Sequence, residues 1–197
     1  MKDKSISDFL DILQQAYNEK DNLLRNNFSR SLSFQDAMFD RWERAKNLGF
    51  GDGSSIYNSA AVFGNVSVGE KTWIGLNVLL DGSGGIIKIG HTCSIASGVH
   101  IYTHDSIAWA LSSGQYGYQK GMVTIGNSTY IGSQSVISAG VNIGTQSVIG
   151  ANSYVNTNVP ELSIYAGSPA KKIGHVEFND NKPILVFDSG KVHVLVK

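Results

Sequence analysis

A six-residue repeat runs through most of this 197-residue chain and constrains its fold more than any other feature. Fourteen hexads align on an aliphatic first residue, seven of them have glycine second, and the fifth residue is nearly always small or β-branched. They begin at positions 56, 62, 68, 74, 80, 89, 95, 101, 125, 131, 137, 143, 149 and 155. This period fits neither an amphipathic helix nor an alternating strand. It predicts a mainly β protein, a parallel β-helix in which each coil buries its core against the next.

The composition agrees with one main domain that contains many short strands and tight turns. The chain has 22 glycines and only 3 prolines, and its 16 basic residues balance 16 acidic ones. This balance indicates neither a nucleic-acid partner nor a membrane surface. The sequence shows no signal peptide and no apolar run near the ~18 residues of a membrane span. The single cysteine, Cys93, fits a reducing compartment, so we expect a cytoplasmic protein.

Segments of a different character precede and follow the repeat. Apolar residues recur at helical spacing in the first of them: Ile6, Phe9, Leu10, Leu13 and Tyr17. A capping-box pattern at Ser33 predicts a second helix that continues to Leu48, and we expect both helices to pack on the larger body. At the other end, the apolar runs 183–187 and 192–196 predict a β-hairpin. We therefore divide the chain into a helical segment (1–52), a β-helix domain (53–174) and a hairpin extension (175–197).

The repeat is interrupted twice. The hexad at Leu80 has the sequence L-D-G-S-G-G and is followed by three extra residues, which shift the register. A longer break at 107–124 leaves the later hexads in phase, which predicts a loop extruded from an undisturbed prism. This loop carries Trp109, Tyr116 and Tyr118, and long loops on rigid scaffolds often carry function.

Histidines near the second interruption are the first candidates for chemistry. Three of them, His91, His100 and His104, could contribute to a zinc site of the γ-carbonic anhydrase type, but the spacing and the acidic residues of that site are missing. Metal ligands are therefore not expected. We interpret His91, His175 and His193 as structural or solvated, and Cys93, at a fifth hexad position, as core packing.

The pattern of an aliphatic residue, glycine and a small fifth residue resembles that of the hexapeptide-repeat acyltransferases, over roughly residues 40–175. The stretch I-Y-T-H-D-S at 101–106, followed by a long loop and a fresh I-G hexad, resembles the active-site strand of their sugar O-acetyltransferases, of the galactoside, maltose and polysaccharide type. The resemblance implies a left-handed β-helix, a homotrimer with active sites between subunits, and His104 as general base. A hydroxyl must lose its proton as it attacks a thioester, and an imidazole is suited to accept it.

The same resemblance implies two sets of binding residues. Those expected to contact acetyl-CoA are Tyr130, Ser133, Gly140, Ala151, Asn156, Thr157, Lys171 and Lys172. Those expected to contact the acceptor are Asn77, Asp81 and Trp109, although Asn77 and Asp81 could equally be turn-capping residues. Neighbouring strand residues point to opposite faces, so we expect Asp105 to brace the backbone beside the loop, unless a local turn brings it to His104.

The sequence thus predicts direct transfer of acetyl from acetyl-CoA to a hydroxyl of a sugar or polysaccharide precursor. Three alternatives remain open at this point. They are an N-acetyltransferase acting on an amino sugar, a γ-carbonic-anhydrase-like zinc enzyme and a non-catalytic trimeric scaffold.

Overall fold

The structure is a computed structural model and describes residues 6–195. Its helices are α1 (Ile6–Phe28), α2 (Phe34–Met38), α3 (Arg41–Asn47) and α4 (Ile107–Leu111). The first nine strands are β1 (Ser55–Ile56), β2 (Ala61–Val68), β3 (Trp73–Ile74), β4 (Leu79–Ile89), β5 (Ser94–Ile95), β6 (His100–Tyr102), β7 (His104–Asp105), β8 (Gln119–Lys120) and β9 (Val123–Ile125). The others are β10 (Tyr130–Ile131), β11 (Val136–Ile137), β12 (Asn142–Ile143), β13 (Val148–Ile149), β14 (Tyr154–Val155), β15 (Ser163–Gly167), β16 (Ala170–Asn179), β17 (Lys182–Phe187) and β18 (Val192–Val194).

The short strands stack in parallel into a three-faced prism of about 5 turns. The first face contains β1, β3, β5, β10 and β13, in that order. The second contains the beginnings of β2 and β4 with β6, β11 and β14, and the third contains the ends of β2 and β4 with β9 and β12. The predicted mainly β fold is confirmed, and the solenoid is consistent with a left-handed β-helix.

The first and fifth positions of the hexads fill the interior as predicted. The aliphatic first residues are almost completely buried in a continuous column, for example Ile101, Ile137 and Val155 on the second face. Most fifth residues are also buried, and most of their hydroxyl groups donate to backbone carbonyls of the neighbouring coil. Ser135 Oγ, for instance, donates to the carbonyl of Gly150 at 3.0 Å. Ser153 Oγ donates within its own coil, to the carbonyl of Gly150 at 2.7 Å. A buried hydroxyl is therefore compatible with this core because a backbone carbonyl accepts its proton.

Several of the glycines at second positions are required because the coils approach closely at the corner. A Cβ built on Gly132 would lie 2.4 Å from the backbone nitrogen of Ala151, which is shorter than any van der Waals contact permits. The fourth residue then turns the chain with a positive φ, as at Asn77 (55°) and Asn152 (55°). Asparagine tolerates this left-handed conformation better than most residues.

The N-terminal region differs from the prediction in two ways. The predicted second helix is wrong as one element, because the chain extends at Phe39 and restarts as α3, which the Asp40 carboxylate caps. Ser33 makes no side-chain cap and donates instead to Asp36. Helix α3 packs on the first coil through buried Ala45, whereas the apolar residues at the start of α1 remain exposed, Ile6 to 81%. The prediction that the apolar face of α1 packs on the β-helix is therefore wrong within a single chain.

The C-terminal region continues the first face as an antiparallel sheet. Strand β15 stacks on β13, and β16, β17 and β18 then follow one another with antiparallel pairing. The pairing of β17 with β18 confirms the predicted hairpin, although Val196 lies outside the described residues. Strand β16 crosses the position 174/175 at which we divided the chain. No helix within residues 6–195 has the length and apolar character needed to cross a membrane.

Candidate active site

The two interruptions of the repeat lie against each other at one corner of the prism, between the second and third faces. The amide of Gly84, in the first interruption, donates to Thr103 Oγ1 at 3.0 Å. A Cβ on Gly84 would lie 2.5 Å from the Cβ of His104, so only glycine allows this approach. Thr103 is fully buried and also donates to the carbonyl of Asp81 at 2.7 Å. The extra residues after Leu80 therefore shape the floor beneath His104.

His104 begins the two-residue strand β7 where the chain leaves the prism. It pairs antiparallel with Lys120 on the returning side of the loop. The His104 side chain is 24% exposed, but its Nδ1 is buried and has no hydrogen-bond partner in the described part of the chain. Because Nδ1 faces inward, Nε2 is the ring nitrogen that can meet a substrate.

The carboxylate nearest to this buried nitrogen belongs to Asp81. Its Oδ2 lies 3.9 Å from His104 Nδ1, too long for a hydrogen bond but close enough for an ion pair with an imidazolium. The other oxygen, Oδ1, accepts the amide and hydroxyl of Ser83, which fixes the carboxylate toward the corner. The amide of Ser83 makes Asp81 a turn-capping residue, one of the two roles expected from the sequence, whereas its approach to His104 is not predicted there.

Aromatic residues of the extruded loop cover the imidazole from the other side. The Tyr118 ring stacks on His104 with a centroid distance of 5.7 Å and an interplanar angle of 22°. Trp109, on α4, meets Tyr118 edge to face at 6.4 Å. The loop therefore contacts His104, as its aromatic content suggested. Its last two residues, Val123 and Thr124, already belong to strand β9, so the extruded part is shorter than predicted.

Asp105 braces the start of the loop, as expected from strand alternation. The Oδ1 atom of Asp105 accepts a hydrogen bond at 3.0 Å from the amide of Ile107, and Ile107 is the first residue of α4.

The residues predicted to contact acetyl-CoA fall into separate groups. Gly140, Asn156 and Thr157 lie below His104 at the same corner, on the two following coils. Their continuity with the site is direct, because a Cβ on Gly121 would lie 2.6 Å from the nitrogen of Gly140, and the Gly121 amide donates to the carbonyl of Thr103. This corner forms a strip of small and polar residues that runs from His104 toward the C-terminal coils.

The remaining predicted residues lie elsewhere in a single chain. Ser133 and Ala151 occupy the corner between the first and second faces, as does Asn77, which is exposed. Tyr130 points outward from the first face and is 44% exposed. Lys171 and Lys172 are exposed on β16, beyond the last coil. A single chain therefore does not bring these residues to His104.

The site contains residues that the sequence interpretation missed. Thr103, Ser83 and Gly84 were passed over because they look like ordinary turn residues. The spacing of the hexads could have revealed their proximity. One coil is three hexads, or 18 residues, and the hexads that begin at 80 and 101 are 21 residues apart, which is one coil plus the three extra residues. The two interruptions therefore occur on the same face of consecutive coils.

The metal-binding and nucleophilic side chains of the described residues do not form a second centre. Within residues 6–195, no group of three or more His, Cys, Asp or Glu side chains could hold a metal ion. Cys93 is 2% exposed and its Sγ lies 3.1 Å from the carbonyl of Gly126. Burial raises the pKa of its thiol, so it packs in the core as predicted.

The prism, its repeat and its corner site define a hexapeptide-repeat β-helix protein. Residues 122–157 match the family described as bacterial transferase hexapeptide (six repeats). Protein CapG of Staphylococcus aureus is 42% identical over 99 residues, which are 49% of this chain and 57% of that protein. The match thus spans little more than half of the length of that relative. The predicted resemblance to hexapeptide-repeat transferases is confirmed.

Solved structures share the fold over most of the chain. A galactoside acetyltransferase in complex with coenzyme A has a TM-score of 0.60 at 24% identity and covers 85% of this chain and 88% of its own. The maltose O-acetyltransferase of Clostridium difficile 630 has a TM-score of 0.55 at 23% identity and covers 85% and 86%. The N-acyltransferase AntD of Bacillus cereus, in complex with dTDP and 3-hydroxybutyryl-CoA, has a TM-score of 0.55 at 22% identity and covers 70% and 90%.

Proposed function

We propose that this protein transfers an acetyl group from acetyl-CoA to a hydroxyl of a sugar or polysaccharide precursor. The observation that carries the proposal is the setting of His104, a partly exposed imidazole on which both interruptions of the repeat converge. The family of bacterial transferases matched by residues 122–157 and the three enzymes with the same fold support the reaction class.

In the proposed reaction His104 acts as general base. Its Nε2 removes the proton of the acceptor hydroxyl while the oxygen forms a bond to the thioester carbonyl carbon. The tetrahedral intermediate then breaks the carbon–sulfur bond, and the imidazolium returns the proton to the leaving thiolate of coenzyme A. The ester and free coenzyme A are the products, with no acetyl-enzyme. The carboxylate of Asp81 stabilises the transient imidazolium of His104, because the two groups carry opposite charges and lie 3.9 Å apart.

Asp81 is better suited to orienting His104 than to holding the acceptor. Its carboxylate is only 14% exposed and faces the buried Nδ1. A carboxylate in that position favours the tautomer with the proton on Nδ1 and leaves Nε2 free to accept one. Asn77 and Trp109 remain the proposed acceptor contacts from the sequence.

The strip below His104 is the proposed path for the pantetheine arm. Gly140 presents open space outside the backbone, and Asn156 and Thr157 are exposed polar residues on the next coil. Lys171 and Lys172 would then meet phosphates as point charges at the far end.

A homotrimer with sites between subunits accounts for the residues that a single chain separates. In such an assembly, Ser133, Ala151 and Asn77 of one subunit would face the His104 corner of its neighbour. The apolar surface of the loop supports this arrangement, since Ile107 is 63% exposed and Leu111 is 84% exposed in a single chain. We further propose a cytoplasmic location, where acetyl-CoA and sugar precursors are both available.

The experiment that tests the function is an acceptor screen with acetyl-CoA, followed by release of the free thiol and by product mass. Paired sugars with and without an amino group, such as glucose and glucosamine, separate O-acetylation from N-acetylation. An ester product is cleaved by alkaline hydroxylamine, whereas an amide survives. We expect hydroxylamine-labile products. Products that all resist hydroxylamine would favour N-acetylation of an amino sugar, an alternative supported by the structural similarity to the N-acyltransferase AntD.

A further inference from the structure

A second concave site lies far along the chain from His104, in a cavity between the N-terminal helices and the first coil. It has a volume of about 810 Å³ and is lined by residues of α1, α2, α3 and the turn after β1. Its lining lies within residues 20–58, so it shares no residue with the proposed acetyl-transfer site.

Two arginines in this cavity have unused hydrogen-bonding capacity. The Nε atoms of Arg30 and Arg41 are buried, and neither has a hydrogen-bond partner within the described residues. A buried donor of a charged group without a partner is costly, because water no longer solvates it.

Aromatic rings hold both guanidinium groups in place. The Cζ of Arg41 lies 4.2 Å from the ring centre of Trp42 and 4.8 Å from that of Tyr57. The Cζ of Arg30 lies 5.0 Å from the ring centre of Phe28. Such contacts fix the position of a guanidinium group without using its N–H donors. Because the Nε atoms are themselves buried, the terminal Nη groups are the donors that can meet a ligand in the cavity.

Three other charged groups of the cavity are already engaged. Arg44 donates to the carbonyls of Tyr57 and Ala60, and burial lowers the pKa of its guanidinium. The carboxylate of Asp36 accepts the amide of Ser59 at 2.9 Å and the hydroxyl of Ser33 at 3.1 Å. Asp40 accepts two amides as the cap of α3. Asp36 and Asp40 therefore already accept hydrogen bonds from neighbouring residues. Lys20 and Glu43 also line the cavity, and both are exposed. The guanidinium groups of Arg30 and Arg41 are left for a ligand.

We propose that this cavity binds a small molecule that bears phosphate groups. Guanidinium groups bind phosphate through two parallel N–H···O bonds, and two of them around one cavity suit an anion with several oxygens better than a single carboxylate. The rings of Phe28, Trp42 and Tyr57 provide apolar walls for the part of the ligand that carries the phosphate. The site is distinct from the phosphate contacts proposed for Lys171 and Lys172.

The test is calorimetric titration of the full chain with inorganic pyrophosphate, at fixed ionic strength and with coenzyme A present at saturation. We expect one site per chain that survives the presence of coenzyme A. Arg30→Gln and Arg41→Gln should each weaken binding by at least about 10-fold, because each removes a charge-assisted contact. Arg41→Lys should also weaken it, since lysine retains the charge and lacks the planar fork.

Lys46→Gln is the control, because Lys46 is exposed on α3 and does not line the cavity. It should bind pyrophosphate like the unaltered chain, as should His104→Ala. The proposal is overturned if no binding is measured, if coenzyme A or Lys171→Gln abolishes it, or if Lys46→Gln weakens it as much as the arginine variants. If Arg41→Gln fails to fold, Arg30→Gln and Arg41→Lys still give a decisive answer.

Discussion

The Nδ1 atom of His104 is buried 3.9 Å from Oδ2 of Asp81, two residues that lie 23 positions apart in the sequence and on neighbouring coils of the prism. Asp81 pairs with Tyr102 in the parallel ladder, so the carboxylate projects beside the start of β7. Such contacts are often long in the absence of substrate and shorten when charge develops on the imidazole.

This relationship predicts that Asp81→Asn lowers kcat and leaves the KM for acetyl-CoA unchanged. The neutral amide can no longer stabilise the imidazolium, and the loss should not exceed the ~10²- to 10⁴-fold that a general base contributes. Steady-state kinetics with a saturating acceptor measures the effect. Asp105→Asn is the matched control and should lose less, since Asp105 contacts the amide of Ile107. A rise in acceptor KM at unchanged kcat for Asp81→Asn would instead make Asp81 an acceptor ligand.

Tyr118 should contribute to activity through its ring and not through its hydroxyl group. An aromatic pair of this kind is worth about 0.5–1.5 kcal/mol, so Tyr118→Ala should lower kcat by up to about 10-fold while Tyr118→Phe keeps it. Tyr116→Ala is the control, since Tyr116 is 68% exposed on the same loop. Equal losses in Tyr118→Ala and Tyr116→Ala would mean that the loop, and not the stacked ring, is responsible.

Gly132→Ala should destabilise the β-helix. The new Cβ would lie 2.4 Å from the nitrogen of Ala151, so successive coils must move apart. We expect a loss of about 1–3 kcal/mol, with Tm falling about 2–4 °C for each kcal/mol. Gly117→Ala, where nothing lies within 4 Å, should leave Tm unchanged. Thermal unfolding followed by circular dichroism compares the two, and equal Tm values would contradict the close packing at the corner.

Cys93 should not react with thiol reagents in the folded protein. Burial raises the pKa of its thiol, so the reactive thiolate is disfavoured at neutral pH, and the residue is 2% exposed. A disulfide reagent that colours on reaction should detect no thiol in the native chain and one per chain in denaturant. Rapid reaction of the native protein would show that this coil opens. If Cys93 does not react, the same reagent can follow the acetyl-transfer assay, because it then detects only the thiol of released coenzyme A.

The prism could be predicted from the sequence because its periodicity is one-dimensional. Each hexad repeats the same demands, an aliphatic residue such as Ile101 inside and a small one such as Ser135 beside it, so counting along the chain identifies the coils. The break between α2 and α3 was harder to predict, since the Asp40 cap competes with an uninterrupted apolar pattern.

The site was only partly predictable because it forms where the repeat fails. His104 could be identified from the motif around it, and Tyr118 from the aromatic content of the loop. The approach of Asp81 depends on how the three extra residues near Gly84 bend β4, and no periodicity describes that bend. Ser133 and Ala151 lie at another corner, and only an assembly could bring them to His104.

The most direct test of the proposed function is the rate of coenzyme A release by His104→Ala with a sugar acceptor that the unaltered protein acetylates. We predict a ~10²- to 10⁴-fold fall in turnover, with acetyl-CoA still raising the Tm of the variant because its binding strip is intact. Undiminished acetylation by His104→Ala would contradict the assignment of His104 as the general base.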